Sequence, residues 1–424
     1  MPRIIKNTLL NYLPDSFGIE KTVNSARIFE INNNKPAKTG IIVYLCEREI
    51  RTKDNFALQF SIQKSKELNL HLKVIHPKVN YKYQPKQDFI DNQIAQVKRQ
   101  FNNMGLDFEI IEKSPFEIIK NIKPALLILD FNPILKRDYL ESIDSKIYEI
   151  DGHNITPARF LSGKQEYSAA TVRRKIYYKI SPFLTEFYNL STEKVKADYI
   201  LDDFIENKLF YYSEYKNAPS KNVLSGLSQY LNLGFVSSQR VAIEILKSNV
   251  SDESKETFLE ELIIRKELAD NFCLYAKSFK DFSNIPSWAK NSLENHKYDI
   301  RPYIYSVEMF EKGKTHDKLW NATQNQLVKE GKIHGYLRMY WAKKISEWTF
   351  SPDESLNIAI YLNDKYAYDA PSANGYVGIL WATGGLHDRP FSDYPVTGKI
   401  RRMTYNSLKR KIDLSTYFEK YLSE

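Results

Sequence analysis

Short apolar runs alternate with amphipathic stretches over the first 150 residues, and the alternation then stops. Residues 41–46 form an apolar, β-prone run. From 55 to 70 the spacing turns helical, with Phe56, Leu58, Phe60, Ile62 and Leu68 set among polar residues. Residues 71–76 predict a second strand, 89–104 an amphipathic helix and 108–111 a third strand. A helix over 115–122, a fourth strand over 125–130 and a fifth over 147–151 complete the series. This alternation predicts a doubly wound, mainly parallel sheet with helices on both faces. Ligands of such sheets sit beyond the C-terminal strand ends. No GxGxxG follows the first strand, so the usual dinucleotide fingerprint has no support.

Beyond residue 160 long helical periodicities take over, at 173–190, 237–247, 255–275, 317–331, 335–350 and 351–361. The division expected is an extension over 1–39, an α/β domain over 40–155, a linker and first helix over 156–195, and a large all-α domain over 196–424. No internal repeat interrupts it.

Composition narrows the class. The 424 residues are 42% hydrophobic and 27% charged, enough apolar material to exclude a disordered chain. Cys46 and Cys273 are the only cysteines, too few for a thiol-rich metal site, and they fit a reducing cytosol. Neither a signal-peptide core nor an apolar run of membrane length is present, so secretion and membrane spanning are not expected. The net charge of +9 makes nucleic acid the first partner to consider.

Several motifs fall away on inspection. Gly313-Lys-Thr315 ends like a P-loop, but Glu308 stands where the first Gly is required. The seven His residues show no metal-ligand spacing, and His153 and His316 read as structural. No GxSxG elbow occurs. The five Trp residues all lie in the helical half, with Trp341 and Trp348 seven apart. Core packing explains such a stripe, and so does a path for single electrons, because indole is readily oxidised. Between 389 and 411 seven basic residues face one acid, Asp393, with Phe391, Tyr394 and Tyr405 interleaved, a pattern that suits phosphates and bases. The LSGLS turn at 224–228 offers hydroxyls and N–H groups to a phosphate, although such turns also cap helices.

Several of these segments together resemble the class II cyclobutane pyrimidine dimer photolyases. They are FLEELIIRKELADNFC at 258–273, KTHDKLWN at 314–321, HGYLRMYWAKK at 334–344, YLNDKY at 361–366, NGYVG at 374–378 and TGKIR at 397–401. Looser agreement runs through Arg48, DNFAL at 54–58, DGHN at 151–154 and KQEY at 164–167. The resemblance implies an α/β antenna domain followed by a helical FAD domain. It implies light-driven repair of UV-made dimers in double-stranded DNA by a monomer, with FAD active as FADH⁻ giving one electron to a flipped-out dimer. A cryptochrome-like photoreceptor is the alternative. Whether an antenna of deazaflavin or folate type is bound stays open.

The resemblance also assigns residues. Tyr212, Leu224, Ser225, Gly226, Leu227 and Ser228 lie where the family binds FAD, Asn363 where a residue faces flavin N5, and Arg338 with Asp369 where an ion pair flanks the ring. Trp341, Trp320 and Trp348 match the family's relay, ordered from flavin to surface, with Tyr305 at its outer end. Glu261 matches the acid that bonds the dimer, where a dry pocket would favour a protonated, donating carboxyl. Met339 and Trp381 match its packing partners. Lys216, Asn217 and Arg265 match the lesion rim, Arg389 and Phe391 the hole in the duplex, and Lys399, Arg401 and Arg402 the phosphates. Some relatives have Trp in place of Arg265, Arg in place of Lys216, an acid in place of Ala218 and Trp in place of Phe391. Leu45-Cys-Glu47 departs from the family's Trp-Met-Ser pattern, which bears on an antenna more than on repair.

Overall fold

The computed structural model describes residues 8–188 and 190–422. Six strands form one sheet: β1 (Ile28–Glu30), β2 (Ile41–Leu45), β3 (His71–Pro77), β4 (Asp107–Ile111), β5 (Leu126–Asp130) and β6 (Lys146–Ile150). Their order is β1-β6-β5-β2-β3-β4, parallel throughout except for β1, which runs antiparallel to β6. Helices α1 (Phe56–Leu68), α2 (Gln84–Asn103) and α3 (Pro115–Ile122) link the parallel strands. The pleat sends alternate residues to opposite faces. Ile42 and Tyr44 accordingly enter one core, Val43 and Leu45 the other. With both faces covered, the strands read as the unbroken apolar runs of the sequence. Asn55 caps α1 by accepting from the Leu58 N–H, and Asn69 ends it in a left-handed conformation.

Residues expected to form a separate extension supply β1, so the sheet begins before position 40. Arg27, just ahead of β1, is buried and donates to the carbonyls of Asp151, Asn154 and Ile155 and to Gln239 Oε1. Those four bonds tie the segment into the body of the protein.

The helical half contains α4 (Ala169–Lys179), α5 (Lys196–Asn207), α6 (Ser238–Lys247), α7 (Asp252–Leu259), α8 (Lys266–Tyr275), α9 (Lys318–Glu330), α10 (Gly335–Glu347), α11 (Pro352–Tyr366), α12 (Ala373–Gly384) and α13 (Leu414–Leu422). The helix expected over 173–190 stops at Lys179. Pro182 follows in a 3₁₀ turn, and its ring and missing N–H cannot continue an α-helix. Glu186–Phe187 instead pairs with Ile19–Glu20 in a short parallel ladder. The helix expected over 255–275 is one rod, but its middle, Glu260–Arg265, is wound as a π-helix. Trp348 caps α10 rather than lying within it.

The two halves interlock. Arg48 pairs with Asp270 of α8 at 2.7 Å, both buried. Gly234, at φ +74°, lies so close to the Arg48 carbonyl that a Cβ would stand 1.9 Å from its oxygen. Cys46 and Cys273 are free and buried. Among the described residues no cluster of side chains could hold a metal, and no helix is long and apolar enough to cross a membrane.

Candidate functional site

Three indoles line up between α9 and α10. Trp320 and Trp341 lie parallel with ring centroids 6.3 Å apart, and Trp348 stands 6.3 Å from Trp320, edge-on to it. Tyr305 follows at 6.0 Å from Trp348. The order expected from the sequence, 341 to 320 to 348 to 305, is the spatial order. Trp341 donates to Gln324 Oε1 at 2.9 Å, and Trp320 donates to the Trp341 carbonyl at 3.0 Å. These bonds satisfy both buried N–H groups and fix the ring planes.

Beside this row, α10 and the turn after α11 place Arg338 and Asp369 together. Both guanidinium nitrogens approach Asp369 Oδ1 at 3.1 Å. Burial alone would raise the Asp369 carboxyl. Arg338, Ser228 and Lys332 outweigh it and hold the group below its usual range. The 224–228 turn sits nearby, with Gly226 at φ +75° in the left-handed region that glycine adopts freely. A Cβ there would stand 3.9 Å from Lys332 Nζ.

Two residues missed by sequence reasoning belong here. Burial pushes the Lys332 ammonium down, and it has no hydrogen bond or ion pair among the described residues. His334 Nδ1 accepts the Tyr336 N–H at 3.0 Å, so its hydrogen lies on Nε2, a buried donor without an acceptor. A cation and a donor left in this way beside a glycine turn fit an anionic phosphate-bearing cofactor. Their only sequence signal was their place in the GKIHGY run at 331–336.

Asn363 is almost fully buried on α11. Its Nδ2 donates to Asp364 Oδ1 at 3.2 Å, and Tyr376 donates to the other carboxylate oxygen at 3.0 Å. An ionised carboxylate only accepts, so it holds the amide NH₂ and turns the carbonyl away. Gly375 leaves room for this amide, since a Cβ there would stand 3.1 Å from Nδ2.

The outer wall begins at the π-helical turn. Such turns insert a residue and re-aim side chains, often at functional sites. Glu261 points outward there and pairs with Lys216 at 3.1 Å. Its side chain is 48% exposed, so the dry pocket expected around it is not formed by the protein alone. Tyr212 lies close by, and burial, then the Glu261 charge, push its phenol up. Arg265, expected at the lesion rim, folds back onto Glu260 at 3.2 Å while staying half exposed. Asn217 is exposed next to Lys216. Met339 and Trp381 are partly buried against the helical core.

Cations gather around Trp381. Lys343 Nζ lies 4.5 Å from its ring centroid and the Arg401 guanidinium 5.9 Å. Arg401 also covers Phe391 at 4.5 Å, with Arg389 at 5.5 Å from the same ring, and Arg402 lies over Tyr394. Arg389, Lys399, Arg401 and Arg402 are exposed. The loop folds back on itself through Phe391 N–H to the Lys399 carbonyl and Tyr394 N–H to the Gly398 carbonyl. Its backbone is pinned to Ser292 through the Lys399 N–H. The basic run is therefore a fixed, positively charged rim beside the indole.

Lys343 was also missed. It is buried and donates to the Ala382 carbonyl in the last turn of α12, where the Gly385 and Leu386 N–H groups already cap the Trp381 and Leu380 carbonyls. Burial pushes its ammonium down to about 7, against the pull of Asp388. The folded state thus binds fewer protons than the unfolded chain from about pH 7 up to the ordinary lysine range, and stability rises with pH across that window. Lys343→Met should gain stability over wild type at pH 6 and lose that advantage by pH 10, a change on the order of 3 kcal/mol. A pH-independent difference between their denaturant midpoints would contradict this.

At the sheet's switch point, between β2 and β5, the strand-end N–H groups are taken by an internal carboxylate. Asp130 accepts the N–H groups of Glu47, Arg48 and Glu49 at 2.8–2.9 Å and the Tyr44 hydroxyl at 2.7 Å. Glu47 pairs with Arg137, which also reaches Glu149. The N–H groups that would cradle an anionic ligand already hold a carboxylate.

No model of a protein family matches the chain. A deoxyribodipyrimidine photo-lyase of Potorous tridactylus is 32% identical, the match covering 99% of this chain and 88% of that protein. One of Arabidopsis thaliana is 36% identical, covering 89% of this chain and 88% of its own length. Among solved structures, a bacterial class III photolyase from Agrobacterium tumefaciens superposes with a TM-score of 0.67 at 16% identity, over 91% of this chain and 87% of that one, a likeness of fold.

Proposed function

From the premise that this chain belongs to the deoxyribodipyrimidine photolyase family, we propose a class II enzyme that splits cyclobutane pyrimidine dimers. It is a light-driven DNA-repair lyase that uses FAD. The photoreceptor alternative has less support, because the relatives similar over most of the chain are photolyases.

The observation that carries the site assignment is the Arg338–Asp369 pair beside Ser228, with Lys332 at the Gly226 turn and the unpartnered Nε2 of His334 two residues further along the chain. Lys332 and His334 would hold the pyrophosphate, with Ser225 and Ser228. Arg338 and Asp369 would flank the flavin ring. The Asn363 carbonyl, turned away from Asp364, would accept from a protonated N5. When bound and reduced, the flavin supplies the light-driven electron. The protein's residues orient, exclude water and recognise the lesion. Trp381 and Met339 would pack on a flipped dimer, Glu261 would bond a pyrimidine carbonyl, and closure of the lesion over Glu261 would supply the dryness that the free surface lacks. Arg389, Phe391, Lys399, Arg401 and Arg402 would occupy and grip the distorted duplex.

At the switch point the N–H groups that would hold an anionic second chromophore already bond Asp130, and Glu47 there pairs with Arg137. We read the protein as a monomer acting on double-stranded DNA in the compartment that holds it.

Trp381→Ala tests the lesion face. Base stacking on an aromatic is worth ~1–3 kcal/mol, so affinity for UV-damaged duplex should fall roughly 10- to 100-fold. Affinity for undamaged duplex, set by phosphates, should hold within about threefold. Equal losses on both DNAs would remove Trp381 from the lesion site.

A further inference from the structure

We propose that His316 is the proton acceptor for Tyr305, so that a hole reaching Trp348 is passed outward as a neutral tyrosyl radical. The inference rests on the reading of Trp341, Trp320 and Trp348 as an electron path.

The hydrogen-bond geometry sets the direction of proton movement. Tyr305 Oη lies 2.7 Å from His316 Nδ1, and the same oxygen accepts the backbone N–H of His316 at 3.0 Å. If Nδ1 also carried a hydrogen, the phenol would face two donors and its own hydrogen would have no acceptor. The consistent arrangement has the phenol donating to Nδ1 and the imidazole hydrogen on Nε2.

The ring is held in place for this role. It stacks on Tyr303 at 3.7 Å and 16°, and meets the edge of Trp348 at 4.8 Å and 65°. Tyr305 is anchored to the last indole of the row by its N–H to the Trp348 carbonyl at 3.0 Å. Burial pushes the His316 imidazole below its ordinary value, so it is a neutral base at neutral pH. The charged and titratable groups facing it are Asp317 on its own turn, Lys344 on α10, and the phenols of Tyr303 and Tyr305. Its outer side is exposed, which gives a received proton a way to water.

The step balances. One electron passes from Tyr305 to the Trp348 indole cation. The Tyr305 O–H bond breaks and an N–H bond forms at His316 Nδ1. The products are neutral Trp348, a neutral phenoxyl radical and a His316 imidazolium. The oxidant is the indole cation, supplied by light-driven withdrawal of one electron through Trp341 and Trp320 toward oxidised flavin. A phenol oxidised without losing its proton is a very strong acid, so a base already at hydrogen-bond distance removes that cost. Return of the electron then requires return of the proton, and the hole persists long enough for an external reductant to fill it.

The test is transient absorption on the FAD-loaded protein with oxidised flavin. In wild type a phenoxyl signal should grow as the indole cation decays, more slowly in D₂O. His316→Asn keeps an acceptor oxygen but no proton-accepting base. Its phenoxyl yield should fall roughly tenfold or more, its indole cation should persist, and the isotope effect should vanish. Tyr305→Phe supplies the phenoxyl-free baseline. Phenoxyl in His316→Asn at wild-type yield and with the wild-type isotope effect would overturn the proposal. Should that variant not fold, the wild-type pH profile decides. Phenoxyl yield should fall in acid as His316 is protonated, and a flat profile would overturn the proposal. If wild type forms no indole cation, the electron path itself fails. Indole cation with an unchanged phenoxyl in His316→Asn removes His316 alone.

Discussion

Trp341→Phe is expected to slow light-driven flavin reduction about 100-fold or more, while repair by chemically reduced protein stays within about twofold. Trp341 is buried, lies parallel to Trp320, and is the end of the indole row away from Trp348 and Tyr305. Phenylalanine fills most of the same space but is far harder to oxidise than indole, so the first hop is lost. The substitution also leaves a small void and takes the donor from Gln324 Oε1, together costing about 2–3 kcal/mol. A chain with this core tolerates that loss. Repair is spared because it draws its electron from flavin that is already reduced. Absorbance under blue light with an external reductant measures the first effect, and dimer splitting after dithionite treatment measures the second. Wild-type photoreduction in the variant would show that the row does not carry the electron.

Gly234→Ala carries the largest expected cost in stability. Gly234 has φ +74°, which an L side chain adopts only at a penalty, and the new methyl would lie 1.9 Å from the Arg48 carbonyl oxygen. The obstacle is backbone, on a segment held by Asp130 through three N–H bonds and by the buried Arg48–Asp270 pair. Neither side can yield cheaply. We expect a loss of at least about 3–4 kcal/mol, read as a clear drop in thermal midpoint or as insoluble protein. Gly163, with nothing within 4 Å of a built Cβ, is the control, and Gly163→Ala should change little. Equal midpoints for the two variants would mean that the halves are not locked at this contact.

What could be read from the sequence follows from where each signal is stored. Strands β2 and β5 are buried on both faces, so they announce themselves as apolar runs. β1 is three residues long, with Phe29 and Glu30 exposed, and it carries no such run. Its place in the sheet comes from pairing with β6, about 120 residues away. The helix drawn through Pro182 weighed periodicity above the local stop. The π turn at Glu260–Arg265 is too short to shift a hydrophobic period, although it aims the carboxylate of Glu261. The order of the indole row was legible because long motifs bring the family's arrangement with them. Lys332, His334, His316 and Lys343 were not, because each draws its meaning from what surrounds it in space. The Gly226 turn and the Asp369 charge mark Lys332, a buried Nε2 without an acceptor marks His334, the Tyr305 phenol marks His316, and the Trp381 ring marks Lys343. The exposure of Glu261 ran against expectation for a related reason, since the substrate itself would form part of that pocket.

The most direct test is dimer splitting itself. Purified protein loaded with FAD and reduced is mixed with UV-damaged oligothymidine and illuminated, while thymine absorbance is followed. Thymine absorbance should return with light, not in the dark, and in proportion to the light absorbed by the flavin. Bound, reduced flavin with no light-dependent recovery would contradict the assignment of this chain to dimer repair.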